Sequence, residues 1–186
     1  MAPPLITVTR QYASGGSDIA RLAAEAVAQR EERAPGLLER LARTLAVASP
    51  ELFTGPEVSQ AERDEATIHT ITERIIHEAA AAGRVVLVGR GAQAILARRP
   101  EALHVYVVAS KPWRVRFAVE RMGIEPGRVE KALEETDRHR DEYVKTYYGR
   151  VRREAANYDL VVNAERLGLE GAAALVVAEA RRRHWT

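Results

Sequence analysis

Four short, continuously apolar runs punctuate the chain: LITVT at 5–9, RVVLVG at 84–89, LHVYVVA at 103–109 and YDLVVN at 158–163. They do not alternate apolar with polar, so they suit central strands of a parallel sheet covered on both faces. Between them lie longer stretches of helical period, predicting helices at 17–29, 36–48, 60–82, 111–122, about 127–152 and 168–183. In the first, Ala20, Ala23, Ala24 and Val27 fall on the side to be buried. In the long 60–82 segment, Ile68, Ile71, Ile75 and Ala79 line one face, and Gly83 stands where a helix stops. The 36–48 helix opens after Pro35 and closes in the Pro/Gly loop SPELFTGPE. The terminal RRRHWT reads as a solvated helix end that frays.

Strands separated by helices predict one three-layer α/β domain over residues 1–186, with a mostly parallel sheet of four to five strands flanked by helices. Ligands of such sheets bind beyond the carboxyl ends of the strands. That rule selects four places: the loop after Thr9, the turn at Gly89–Gly91, the segment after Ala109, and Asn163 onward.

Composition narrows the field. With 46% hydrophobic and 29% charged residues, the chain is ordinary for a soluble globular protein. It has no cysteine, which excludes disulfides, thiolate zinc sites and cysteine nucleophiles. The net charge of +2 is too balanced to argue for nucleic acid as a partner. No apolar stretch approaches the roughly 20 residues of a membrane span, and MAPPLITV lacks the features of a signal peptide. A cytoplasmic protein without a membrane partner is the expectation.

Candidate chemistry begins at TRQYASGGSDIA (9–20), a strand, a glycine turn and a helix start. Ser14, Gly15 and Gly16 ahead of a helix can converge backbone N–H groups on phosphate oxygens, with the helix dipole behind them. The pattern G-x-x-x-x-G-K-[ST] nevertheless fails, because Gln11 stands at the first glycine, Ser17 at the lysine and Asp18 at the Ser/Thr. A tight turn with Ser14 or Ser17 as N-cap explains the stretch equally well. Asp18 would repel a phosphate unless a divalent ion lay between them.

Further along, VVLVGRGAQAIL (85–96) places Arg90 between two glycines at the ligand end of a strand, where a guanidinium can hold phosphate bidentately. Arg114 and Arg121, seven apart, share a helical face. Segment 111–154 carries 12 Lys/Arg against 9 Asp/Glu. In LEETDRHRDEYVKTYYGR (133–150), Asp137 and Asp141 lie four apart with Arg140 beside them. This stripe is either a ligand edge or an ordinary set of intrahelical pairs. Tyr143, Tyr147 and Tyr148 read as packing. His69 and His77, two turns apart with no cysteine or other histidine near them, give no metal-site signal.

Taken in order, TRQYASGGSDIA, VLVGRGAQAIL, VYVVASKPWRVR (105–116), DRHRDEY (137–143) and YDLVVNAERL (158–167) resemble the cytidylate kinase-like proteins, relatives of the nucleoside monophosphate kinases with a P-loop NTPase fold. The resemblance implies phosphoryl transfer from Mg-ATP to a nucleoside monophosphate, CMP or dCMP being the suggested acceptor. It implies donor phosphates on Gly15, Gly16 and neighbouring amides, including Ser14, Ser17 and Asp18. Arg90, Asp137 and Arg140 would act on the acceptor. Arg114 would open a mobile, lid-like segment at about 111–154. No residue is assigned as a metal ligand, Asp18 being a possible magnesium contact. Arg10, Arg114 and Arg121 are the cations available to replace the lysine absent at Ser17. QREERAPGLLERLAR (29–43) has no β-branched run where relatives have a strand, so the fifth strand is expected to be weak or missing. Two other functions stay open: a non-catalytic nucleotide-binding regulator, suggested by Ser17 and Asp18, and a scaffold that homodimerises through the 60–82 helix.

Overall fold

The structure is a computed structural model that describes residues 5–28 and 58–185. Four strands, β1 (Leu5–Arg10), β2 (Val85–Val88), β3 (Ala102–Val108) and β4 (Leu160–Asn163), form one sheet in the order β2-β1-β3-β4. All three pairings are parallel, with Leu5 opposite Val85 and Ala102, and Val105 opposite Leu160. The helices are α1 (Gly16–Ala28), α2 (Val58–Ala82), α3 (Ala92–Ile95), α4 (Lys111–Met122), α5 (Pro126–Tyr148) and α6 (Ala164–Arg182). A 3-10 turn, Ala155–Asn157, precedes β4. The predicted 36–48 helix and the segment expected to hold a fifth strand lie outside the described residues. Among the described residues, no helix is long and apolar enough to cross a membrane.

The continuous apolar runs have the cause anticipated for them. Ile6, Val8, Val86, Val88, Leu103, Val105 and Val107 point to one face, where Ile19, Ala20 and Ala23 of α1 and Ala172, Val176 and Val177 of α6 cover them. Leu5, Val85, Leu87 and Ala102 point to the other, against Ile76 and Ala80 of α2 and Leu96. Most residues of β1, β2 and β3 are thus buried whichever way they point, which gives the sheet three layers, while the edge strand β4 leaves Val161 47% exposed. On the second face Thr7 and His104, opposite each other in register, share a 2.7 Å hydrogen bond. Burial lowers the pKa of His104, with the field of Asp159 opposing the shift.

Four expectations need correction. The buried stripe of α2 carries Ile76 and Ala80, while Ile71 is 43% exposed, because only one edge of the helix reaches the β2 layer. Helix α5 stops at Tyr148, four residues earlier than expected, because Gly149 takes a left-handed cap (φ 62) whose N–H bonds Lys145 O. Residues 150–154 therefore leave the helix and fold back. The tail does not fray: Trp185 is 8% exposed within the core, and its N–H bonds Ala180 O. Arg183 fastens it by donating to Ala102 O and Asp159. Helix α6 begins at Ala164 rather than 168, capped by the Asn163 side chain, with a non-helical Gly168 inside it.

Candidate functional site

At the end of β1 the chain turns through Gln11–Gly15 into α1, with Ala13 (φ 56) and Gly15 (φ 71) in left-handed backbone. Ser14 is buried and donates its hydroxyl to Gln11 O at 2.9 Å and Val107 O at 3.3 Å, pinning the turn to β3. A side chain on Gly15 would collide with Leu169, and one on Gly16 would come within 2.5 Å of the Arg10 Cβ. Ser17 is exposed and Asp18 half-buried in the first turn of α1. Asp18 acts on Arg21 in the next turn.

Helix α5 crosses over this loop from the β3 side to the β2 side. Its start, Val129 and Leu133, packs with Ala13 and Ala118. Its end brings Tyr143 and Tyr148 against Gly91, where any Cβ would lie 2.6 Å from the Tyr148 ring. His69 of α2 stacks on Tyr147 (centroids 4.2 Å apart, planes at 18°), closing an aromatic cluster. Burial raises the Tyr148 phenol above its ordinary range and pushes Tyr158 up to about 12, so neither ring ionises at neutral pH.

Midway along α5, Asp137 is 4% exposed and meets the loop directly. It accepts from Tyr12 N at 2.9 Å, Arg114 Nη1 at 2.7 Å and Arg152 Nη2 at 3.4 Å. Arg114, near the start of α4, also donates to Tyr12 O, and its buried Nε has no acceptor. Arg152 is 4% exposed and spends its donors on protein: Asp141 at 2.6 Å, the Arg10 carbonyl at 2.9 Å, and Asp137. Arg140 donates to the same Arg10 carbonyl at 3.2 Å and lies over the Tyr12 ring.

The Arg10 side chain runs past Gly16 and ends at Gly89, whose missing Cβ makes room for the guanidinium. Arg90 follows in a left-handed conformation (φ 53) between two glycines of the same kind. The Arg10 pKa falls to about 9, first because the group is desolvated and then because Arg140, Arg152 and Arg90 repel its charge, Asp137 opposing. Among the described residues, the guanidiniums of Arg10, Arg114, Arg140 and Arg152 gather around two carboxylates, Asp137 and Asp141, at the carboxyl ends of the strands. Such an excess favours a polyanion.

The residues singled out beforehand divide accordingly. Arg10, Arg90, Arg114, Asp137 and Arg140 converge on the loop of Ser14, Gly15 and Gly16. Arg121 does not join them; it is exposed in the last turn of α4, about 10 Å along the axis from Arg114 at 1.5 Å per residue. Arg152 was missed, because a helix running to 152 would have left it on a solvated surface. The early stop at Gly149 is the signal for it, since a glycine followed by RVRR allows the chain to turn back. Among the described residues, no three carboxylate or histidine side chains converge on a metal site.

A parallel α/β sheet with a glycine turn feeding a helix, and arginines gathered at the strand ends, defines a P-loop kinase-like protein. Residues 5–166 match the family described as cytidylate kinase-like, and the chain belongs to that family. Its fold is shared with an uncharacterized protein from Eubacterium ventriosum (17% identity, 96% of this chain and 98% of that one, TM-score 0.70). TT1252 from Thermus thermophilus is also similar (19% identity, the same coverages, TM-score 0.51). No curated protein matches the chain. The family and fold are those of nucleotide-binding phosphotransferases.

Proposed function

We propose that the protein transfers the γ-phosphoryl group of ATP to a nucleoside monophosphate, with CMP or dCMP as the first acceptors to try. The observation that carries this reading is the cluster of half-buried and buried guanidiniums around Arg10 at the ligand end of the sheet. Two phosphate-bearing substrates meeting there neutralise it, and positioning with charge neutralisation is most of what phosphoryl transfer requires. The Gly15–Gly16 turn and the start of α1 hold the donor phosphates, while Arg90 and Arg140 grip the acceptor.

The acceptor's chemistry follows from the carboxylates. Asp137 and Asp141 are both engaged by arginines, which leaves neither well placed to take a proton. An alcohol acceptor needs such a base. A phosphate monoester, with its second pKa near 6, is already largely ionised at neutral pH. Its oxygen forms the new P–O bond as the bond from the γ-phosphorus to the bridging oxygen breaks, releasing ADP without any proton transfer to the protein.

Magnesium fits as an ion carried by the substrate phosphates, since such ions take one or two carboxylates and keep several waters. Asp18, in the first turn of α1, is the carboxylate that would contact it, and the ion would offset charge on the phosphates. The test is ADP release with Mg-ATP across a panel of nucleoside monophosphates, nucleosides and small phosphates. Turnover with a monophosphate, lost in Arg90→Ala, is expected; no turnover with any acceptor refutes the reading. Ser17 at the lysine position favours a second reading, a nucleotide-binding regulator, for which saturable ATP binding without turnover is the signature.

A further inference from the structure

We infer that Arg10 supplies, from the end of β1, the phosphate-gripping cation that a P-loop kinase takes from a lysine at the start of the following helix. The inference rests on the phosphotransferase reading for the identity of its ligand, a polyphosphate.

Position comes first. The Arg10 stem crosses the start of α1, its Cβ and Cγ 2.5 and 3.0 Å from where a Gly16 Cβ would stand. Residue 17, the lysine position, is the next along the chain. The side chain therefore leaves the strand end, passes the place where the lysine would be rooted, and delivers its charge at Gly89. Gly16 and Gly89 both make room for it. Gly89 is in left-handed backbone (φ 75), and a Cβ there would overlap the Arg10 guanidinium itself.

The second argument is the contrast with its neighbours. Arg152 donates to two carboxylates and two carbonyl oxygens, as a structural arginine does. Arg10 lies in the same cluster, yet its guanidinium has no hydrogen-bond acceptor among the described residues, although its own carbonyl accepts from both Arg140 and Arg152. A half-buried cation whose donors are not spent on protein, flanked by three other guanidiniums, offers those bonds to an arriving anion. A strut would have been given partners; a ligand-gripping group is left without them. The depressed pKa of Arg10 reports the same environment.

The experiment uses inorganic tripolyphosphate, titrated calorimetrically into the full-length protein, so that binding is read without turnover. Arg10→Gln should weaken binding at least tenfold, and Gly89→Ala should weaken it comparably by displacing the guanidinium. Adding Ser17→Lys to Arg10→Gln should restore most of the affinity, because the cation returns to the lysine position. Thermal unfolding of each variant confirms that it is folded, and Arg10→Lys, which keeps the charge on a shorter reach, should be intermediate. Unchanged binding in Arg10→Gln overturns the inference. So does a loss that Ser17→Lys does not repair, since Arg10 would then be one anion contact among several. If the wild type binds tripolyphosphate through Arg10 yet phosphorylates nothing, the phosphotransferase reading fails while this one stands. Full turnover by Arg10→Gln gives the reverse.

Discussion

Replacing Asp137 by Asn removes one charge from the centre of the site while keeping its shape. The carboxylate is 6% exposed, and its partners Arg114 and Arg152 are 12% and 3% exposed, so water screens these pairs little. The amide can still accept from Tyr12 N, but Arg114 loses its counter-charge, and Arg152 is left with Asp141, which Arg153 also engages. Breaking a buried pair by removing one partner costs about 3–5 kcal/mol. In a domain of this size each kcal/mol moves the midpoint by roughly 2–4 °C, so the melting temperature should fall on the order of 10 °C. Differential scanning calorimetry reads the loss directly. Because the damage is unneutralised positive charge, inorganic phosphate should restore more stability to Asp137→Asn than it adds to the wild type. A drop below about 1 kcal/mol, or no preferential rescue by phosphate, refutes the picture of Asp137 as the anion that holds the arginines together.

Three further outcomes follow from the packing. Trp185→Ala should cost about 3–5 kcal/mol in denaturant unfolding, because its ring is in the core. Gly91→Ala should destabilise by about 1–3 kcal/mol, since the residue sits at φ 70 against the Tyr148 ring. His104 has a folded-state pKa below its ordinary 6.5, so the unfolded chain binds the proton more readily. Its contribution is complete above pH 6.5 and is lost as pH falls from there toward the depressed value. The slope of melting temperature against pH in that window should flatten in His104→Gln.

The sheet was legible in the sequence because β1, β2 and β3 are largely buried on both faces, and uninterrupted apolar runs follow from that; β4, at the edge with Val161 exposed, has an apolar run all the same. Helix α4 was legible to the residue because Ser110 caps it, Pro112 opens it and Gly123 (φ 68) ends it. Pattern failed where tertiary geometry decides. In α2 the apolar positions admit two adjacent stripes, and only the β2 layer selects Ile76 over Ile71. Arg152 reaches the Arg10 carbonyl across 142 residues of chain, a contact no local window contains. The loop motif was ambiguous for a related reason. A glycine turn with Ser17 in place of a lysine reads as an ordinary cap until the fold shows an arginine from the preceding strand lying across it. The RRRHWT tail read as a solvated, fraying helix end because a short basic segment gives no hint that its tryptophan has a slot.

Calorimetric titration of the protein with Mg-ATP and with adenosine at low and moderate salt tests the central claim most directly. The arginine cluster predicts saturable binding of Mg-ATP that weakens as salt rises, and far weaker binding of adenosine, because the affinity resides in the phosphates. No binding of Mg-ATP, or equal affinity for adenosine, would contradict the assignment of this cluster as a nucleotide-phosphate site.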